Sequence, residues 1–233
     1  MKILALELSS TRGSLALFNV GNVDPAAVAE SAKEAFFREW QNDRKNSGPF
    51  FEYLAEVQKE FGKPDTIVVG IGPGSYAGTR ITISAAIGLS MAGGTGSVPS
   101  DERIKLVGRH GGRPSIRLIG FPSICAIDCD APEYCVIGDA RRQTFFFARI
   151  RDNNLVEGPT LMSEAELREK LDKVDRKMSI FSTEKLSQFE RAAIRYPSAK
   201  VLVRLAQDSN RNFAQPPLEP IYLREPYITI PKK

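Results

Sequence analysis

The chain has 233 residues, 42% of them hydrophobic and 26% charged, with a net charge of +4. That is the composition of a chain with enough apolar material for a core, and it excludes global disorder. The longest apolar runs fall far short of a bilayer span, so no membrane contact and a cytoplasmic setting are the expectation.

Lys2 to Leu8 opens as a β-compatible apolar run, Ser9-Ser10-Thr11-Arg12-Gly13 has turn composition, and Ser14 to Val20 is apolar again. Two such runs joined by a short polar turn predict a hairpin. Glu30 to Lys45 is highly charged and reads either as a third strand leading into a loop or as a helix. Ser47 has the chemistry of an N-cap, with Pro49 in the first turn. Phe50, Leu54, Val57 and Phe61 then recur at helical spacing until Gly62 and Pro64 end the helix.

Thr66 to Ile71 is a continuous apolar run, the pattern of a strand buried on both faces. A glycine-rich turn, residues 72–78, leads into a predicted helix over Thr79 to Ala92. It is rich in small residues, with Ile81, Ile83, Ile87 and Met91 as its apolar contacts. Gly93 to Pro114 reads as a linker. From Arg103 to Arg117 there are five basic residues (Arg103, Lys105, Arg109, Arg113, Arg117) and no acid, which outweighs the whole net charge. Such a run is a solvated loop or a contact for a phosphate-rich partner such as tRNA. It lacks the aromatic residues that stack on bases.

The second half restarts with a short strand at Ile116–Ile119 and a helical patch near Pro122-Ser123. Tyr134–Gly138 and Thr144–Ile150 read as strands around the turn Asp139-Ala140-Arg141-Arg142. Ser163-Glu164-Ala165-Glu166 is a capping box opening a helix to about Leu171. Ser198 to Asp208 predicts another helix, and Leu218 to Arg224 an extended, proline-flanked tail. Cys125, Cys129 and Cys135 are an odd number with no histidine nearby, which predicts reduced thiols rather than a metal site.

Gly72-Pro73-Gly74-Ser75-Tyr76-Ala77-Gly78 follows a buried strand and opens a helix, where backbone amides favour anions. It is neither a Gly-x-Gly-x-x-Gly fingerprint nor a P-loop. On glycine content alone it reads first as a tight turn where two elements pack, ahead of an anion site. The longer string from Gly72 to Gly88, GPGSYAGTRITISAAIG, resembles the signature of the TsaB (YeaZ) family, the non-catalytic partner of TsaD in making threonylcarbamoyladenosine on tRNA. Ile3 to Ser9, Arg44-Lys45-Asn46-Ser47, Ile119-Gly120-Phe121-Pro122-Ser123, Asp139-Ala140-Arg141-Arg142, Pro197-Ser198-Ala199 and Glu219 to Arg224 resemble further segments of that family, in order. Three departures stand out: Glu7 where members usually carry Asp, residues 94–114 as an insertion, and a poor match over 24–43.

The resemblance implies an α/β, actin-like (ribonuclease-H-like, ASKHA) fold of two small lobes. They would be residues 1–93 and 115–233, with 94–114 as a basic, glycine-rich linker. It implies a heterodimer with a TsaD homologue through the two N-lobe helices, with Phe50, Leu54, Val57, Ile83, Ala86, Ile87 and Ser90 as the contact residues. It further implies recruitment of the TsaE ATPase, tRNA reached through the complex, and a homodimer when the partner is absent. No metal and no intrinsic cofactor are expected, with room for ATP or ADP at the interface with the partner. Catalytic residues are not expected: the partner's family binds metal through a His-x-x-x-His pair, and His110 is the only histidine here. The competing reading is an actin-like phosphotransferase, with Glu7, Ser9, Ser10, Thr11, Gly72, Gly74 and Ser75 around a nucleotide or other anion.

Overall fold

The computed structural model describes residues 1–21, 32–42, 47–92 and 116–224. Strands β1 (Lys2–Glu7), β2 (Arg12–Val20) and β3 (Ala32–Gln41) form an antiparallel meander. Helix α1 (Gly48–Phe61) leads to β4 (Thr66–Gly70), and helix α2 (Tyr76–Ala92) precedes β5 (Arg117–Phe121). β4 pairs parallel to β1 and β5 parallel to β4, giving the order β3-β2-β1-β4-β5. The charged run that sequence left between strand and helix is therefore a strand, and α2 begins three residues before its expected start.

A 3-10 turn (Ser123–Ala126) enters the second sheet. β6 (Glu133–Asp139), β7 (Thr144–Arg151) and β8 (Asn154–Ser163) are again an antiparallel meander. Helix α3 (Glu164–Asp172) precedes β9 (Ser179–Ser182), which pairs parallel to β6; β10 (Ala192–Ile194) pairs parallel to β9; helix α4 (Ala199–Ala206) follows. Read from its β8 edge, this sheet has the order β8-β7-β6-β9-β10, the same topology as the first. Two sheets of identical order make the actin-like, two-lobed α/β architecture.

Period-2 alternation sorts the first sheet's side chains onto two faces. Leu4, Leu6, Leu15, Leu17, Ile67 and Val69 meet Phe50, Leu54 and Val57 of α1 and Ile83 and Ala86 of α2. Ile3, Ala5, Ala16 and Val68 meet α4 and the second sheet's Tyr134, Val136, Phe146 and Ala148. The far face of the second sheet packs Cys135, Ile137, Phe145 and Phe147 on Leu167 and Leu171 of α3. The lobes are thus joined through a shared apolar layer. Ser14 on β2 accepts the N–H of Ala199 at 2.9 Å, capping α4 from the other half of the chain. Arg211 holds the β7–β8 turn, donating to the carbonyls of Asp152 and Asn153 and to Asn154 Oδ1.

Helix starts differ in mechanism. At α3 the capping box is complete: the Ser163 hydroxyl accepts from Glu166 N–H and the Glu166 carboxylate accepts from Ser163 N–H. At α1 Ser47 makes no side-chain cap, and Pro49 starts the helix instead. The three cysteines are free. Burial pushes the Cys125 thiol up to about 12 and Cys135 up to about 11, which keeps both inert. None of the described helices is long and apolar enough to cross a membrane.

Candidate functional site

Two regions bring sequence-predicted residues together: the β1–β2 turn with the glycine segment before α2, and the outer face of α2 itself. At the first, Glu7 ends β1 with no exposed surface. Its Oε1 accepts the N–H of Ser9 at 2.6 Å, while Oε2 has no hydrogen-bond partner. A methyl group on Gly70 would stand 1.7 Å from that oxygen and 2.6 Å from Ser123 Oγ, so only glycine fits beside the carboxylate. Desolvation raises the Glu7 pKa, against smaller lowering contributions from Ser9 and Ser123. The carboxyl therefore lies under the turn, walled by β4 and the 3-10 turn.

The glycines have an equally local cause. A Cβ on Gly74 would be 2.1 Å from the carbonyl oxygen of Ser9, and one on Gly78 would be 2.0 Å from that of Leu8. The start of α2 is pressed directly onto the backbone of the β1–β2 turn. Ser75 N–H donates to Ser9 O at 2.6 Å, and Ser75 Oγ accepts the N–H of Gly78 at 3.3 Å. The Ser75 and Gly78 amides at this helix start are thus spent on the chain's own oxygens. Gly72, at φ +90, is the position where the turn needs positive φ, and its N–H donates to Ser123 Oγ at 3.0 Å. Ser10 Oγ is bonded to the backbone of Arg12, and Asn42 closes the turn by donating to Ser10 O.

Above this layer lies a crevice of about 490 Å³ between the two sheets. Its walls are Ser9–Thr11, Pro73–Ala77, the β6–β7 turn at Asp139–Arg141, and the tail at Pro220–Arg224; Ile124 and Phe146 line its apolar floor. Glu7, Gly72 and Ser123 are not among the lining residues. The β6–β7 turn is held in an unusual conformation, with Arg141, Arg142 and Gln143 at φ 66, 53 and 58. Asp139 accepts the Arg141 N–H at 2.6 Å and pairs with its guanidinium at 3.1 Å.

The helix face requires a correction. Phe50, Leu54, Val57, Ile83 and Ala86, expected at a partner contact, are 0–6% exposed because they pack on their own sheet. Of the expected contact residues, only Ile87 (38% exposed) and the half-exposed Ser90 reach the surface. The outward stripe of α2 is instead Tyr76, Arg80, Ser84, Ile87, Gly88 and Met91. On α1 it is Phe51, edge-on to Phe50 with ring centroids 5.1 Å apart. An apolar residue one position off the buried stripe was the signal available in sequence. Of the basic stretch, only Arg117 lies within the described residues, exposed on β5; Arg103, Lys105, Arg109, Arg113 and His110 lie outside them, as does 94–114.

The fold and its sites define a two-lobed, actin-like protein with a closed β1–β2 turn. Its structural likeness is to YeaZ. "YeaZ from Pseudomonas aeruginosa" superposes with a TM-score of 0.64 at 16% identity, over 95% of this chain and 100% of that one. An "uncharacterized protein with similarity to peptidase YEAZ from Pseudomonas aeruginosa" superposes with a TM-score of 0.65 at 17% identity, over 96% and 99%. No protein-family model and no curated protein matches the sequence. The chain therefore has the YeaZ fold over nearly its whole length.

Proposed function

We propose that this chain is a non-catalytic scaffold and activator, a YeaZ-type subunit that binds a TsaD homologue in the synthesis of threonylcarbamoyladenosine on tRNA. The observation that carries this reading is the outer stripe of α2, where Tyr76, Ile87 and Met91 stand 52%, 38% and 68% exposed on a helix already anchored from behind. Ile87 and Met91, neighbours on one side of the helix near its end, with Tyr76 on the same side at its start, support reading this face as a docking surface. The glycine string that resembles the family places this helix, and the YeaZ fold supports the same reading. The subunit would act by binding, biasing its partner toward the competent conformation. In this scheme the TsaE ATPase joins the pair, ATP or ADP sits at the shared interface, and tRNA is reached through the complex. Alone, the chain would use the same face for a homodimer.

Light scattering on the chain mixed with the TsaD homologue of its own organism tests this. A one-to-one complex is expected. Ile87→Glu or Met91→Glu should weaken it by about tenfold or more, the cost of a central interface residue. Absence of any complex between two folded proteins would sink the proposal.

A further inference from the structure

Residues 213–224 run from the edge of the first sheet over the crevice to the second sheet, and the two ends of this tail are held differently. The root is built into the core. Gly120 and Ala214 exchange both backbone hydrogen bonds at 2.9 Å, and Phe213 packs on Phe121 with centroids 5.2 Å apart. Leu218 is buried in the cluster with α1 and α2. Ile221 N–H then donates to the carbonyl of Ile71 at 2.8 Å, just beyond β4.

Past that point the fastenings are only partly buried, with Leu223 packed half-exposed on the apolar layer that the sheets share. Tyr222 lies against Tyr76 with centroids 5.4 Å apart, and both rings are about half exposed. Arg224 donates to the carbonyl of Arg141 in the β6–β7 turn and to the hydroxyl of Thr144, the first residue of β7, and its Nε is buried with no partner. The carbonyl it holds belongs to the first of the three residues at positive φ.

We infer that Ile221–Arg224 is a releasable latch across the crevice, rooted at Ala214 and Leu218 and fastened at its far end to the β6–β7 turn. On their other side the sheets share an extensive buried apolar layer with α4, and burial of that extent is expected to open only with the whole fold. The latch instead rests on a few hydrogen bonds, one ring contact and the half-buried side chains of Ile221 and Leu223, far less burial than the shared layer, so it opens before the rest. Its release exposes Ile124 and Phe146 on the crevice floor and frees the ring of Tyr76 at the first residue of α2. A partner that presents an apolar or aromatic surface to Tyr76 competes with Tyr222 for it. This last consequence rests on the proposed function; the latch itself does not.

Amide hydrogen exchange on the full chain, without any partner, tests it. In the unaltered protein the Ile221 amide should exchange at least about tenfold faster than the Ala214 amide, because local opening needs less than global opening. Arg224→Ala should speed Ile221, and also Ala140 and Thr144, whose amides bond within the β6–β7 turn, by about tenfold. Ala214 and the β1 amides should stay unchanged. Ile221 exchanging in step with Ala214 in the unaltered protein would overturn the latch. So would an Arg224→Ala variant that leaves Ile221 unchanged or speeds every amide alike. A failed complex in the scattering experiment leaves these outcomes untouched.

Discussion

At the end of β1 the carboxylate of Glu7 accepts the N–H of Ser9 at 2.6 Å, and at the end of β6 the carboxylate of Asp139 accepts the N–H of Arg141 at 2.6 Å. The strands hold equivalent places in two sheets of one order, so the same turn chemistry occurs twice. What covers the two turns is different. Over the first, Gly74 and Gly78 let α2 close down until the carbonyls of Ser9 and Leu8 fill the space where side chains would be. Over the second, the segment after β9 contributes a side chain instead, Glu184, which accepts the Asp139 N–H at 3.3 Å and leaves Arg141 and Arg142 exposed. Identical hairpin topology therefore yields a sealed carboxyl in one lobe and an open, charged turn in the other. The difference comes from two glycines, Gly74 in the turn before α2 and Gly78 in its first turn.

The sharpest way to break this comparison is to add one methyl group to the seal. Gly78→Ala meets backbone 2.0 Å away, which cannot swing aside, and should cost about 3 kcal/mol or more by overpacking. On the same helix Gly88→Ala meets nothing within 4 Å and should gain roughly 0.5–1 kcal/mol from helix propensity. Urea unfolding of the pair reads both. A Gly78→Ala midpoint equal to that of the parent would mean that α2 is not clamped on the turn.

Next comes the pH dependence that the buried Glu7 confers. Burial raises the Glu7 pKa above 4.5, so the folded chain keeps a proton that the unfolded chain releases. The resulting penalty is absent below about pH 4.5, grows as pH rises, and levels off once the folded carboxyl ionises. Glu7→Gln should therefore flatten the stability profile above that pH and be at least as stable as the parent at pH 7. Asp139→Asn, which removes a half-exposed pair with Arg141, should change stability by less than about 1 kcal/mol. A Glu7→Gln variant that keeps the parent's pH profile would show that the first turn is not sealed.

The smallest effect separates the equivalent helices α1 and α3. Packing of Phe50, Leu54 and Val57 holds α1, whereas the shorter α3 buries Leu167 and Leu171 and relies on its capping box. Ser163→Ala should cost about 1 kcal/mol, and Ser47→Ala only a few tenths, in thermal unfolding. Equal losses would contradict the absence of a side-chain cap at Ser47.

Most of the elements were legible because their signals are local. The hairpin around residues 9–13, the run TIVVGI, the capping box at Ser163 and the turn at Asp139 each follow from a few adjacent residues. The strands that escaped are β8, β9 and β10. β8 carries Gly158 and Pro159, which demote a strand unless it lies at an edge, as it does here. β9 and β10 are four and three residues long, too short for periodicity to register. The helical stripe on α1 was read correctly as a stripe but assigned outward, since a hydrophobic period does not say whether sheet or partner receives it.

The sequence by itself determined the order of the main elements and the likeness of Gly72–Gly88 to one family, because both are written in contiguous residues. Only the tertiary structure decided what those residues meet. It placed carbonyls against Gly74 and Gly78, buried Glu7 beneath its own turn, turned Ile87 and Met91 outward, and laid Arg224 on a turn 80 residues away from it at Thr144. Each of these depends on which distant backbone comes within van der Waals reach, and chain order alone carries no such distance.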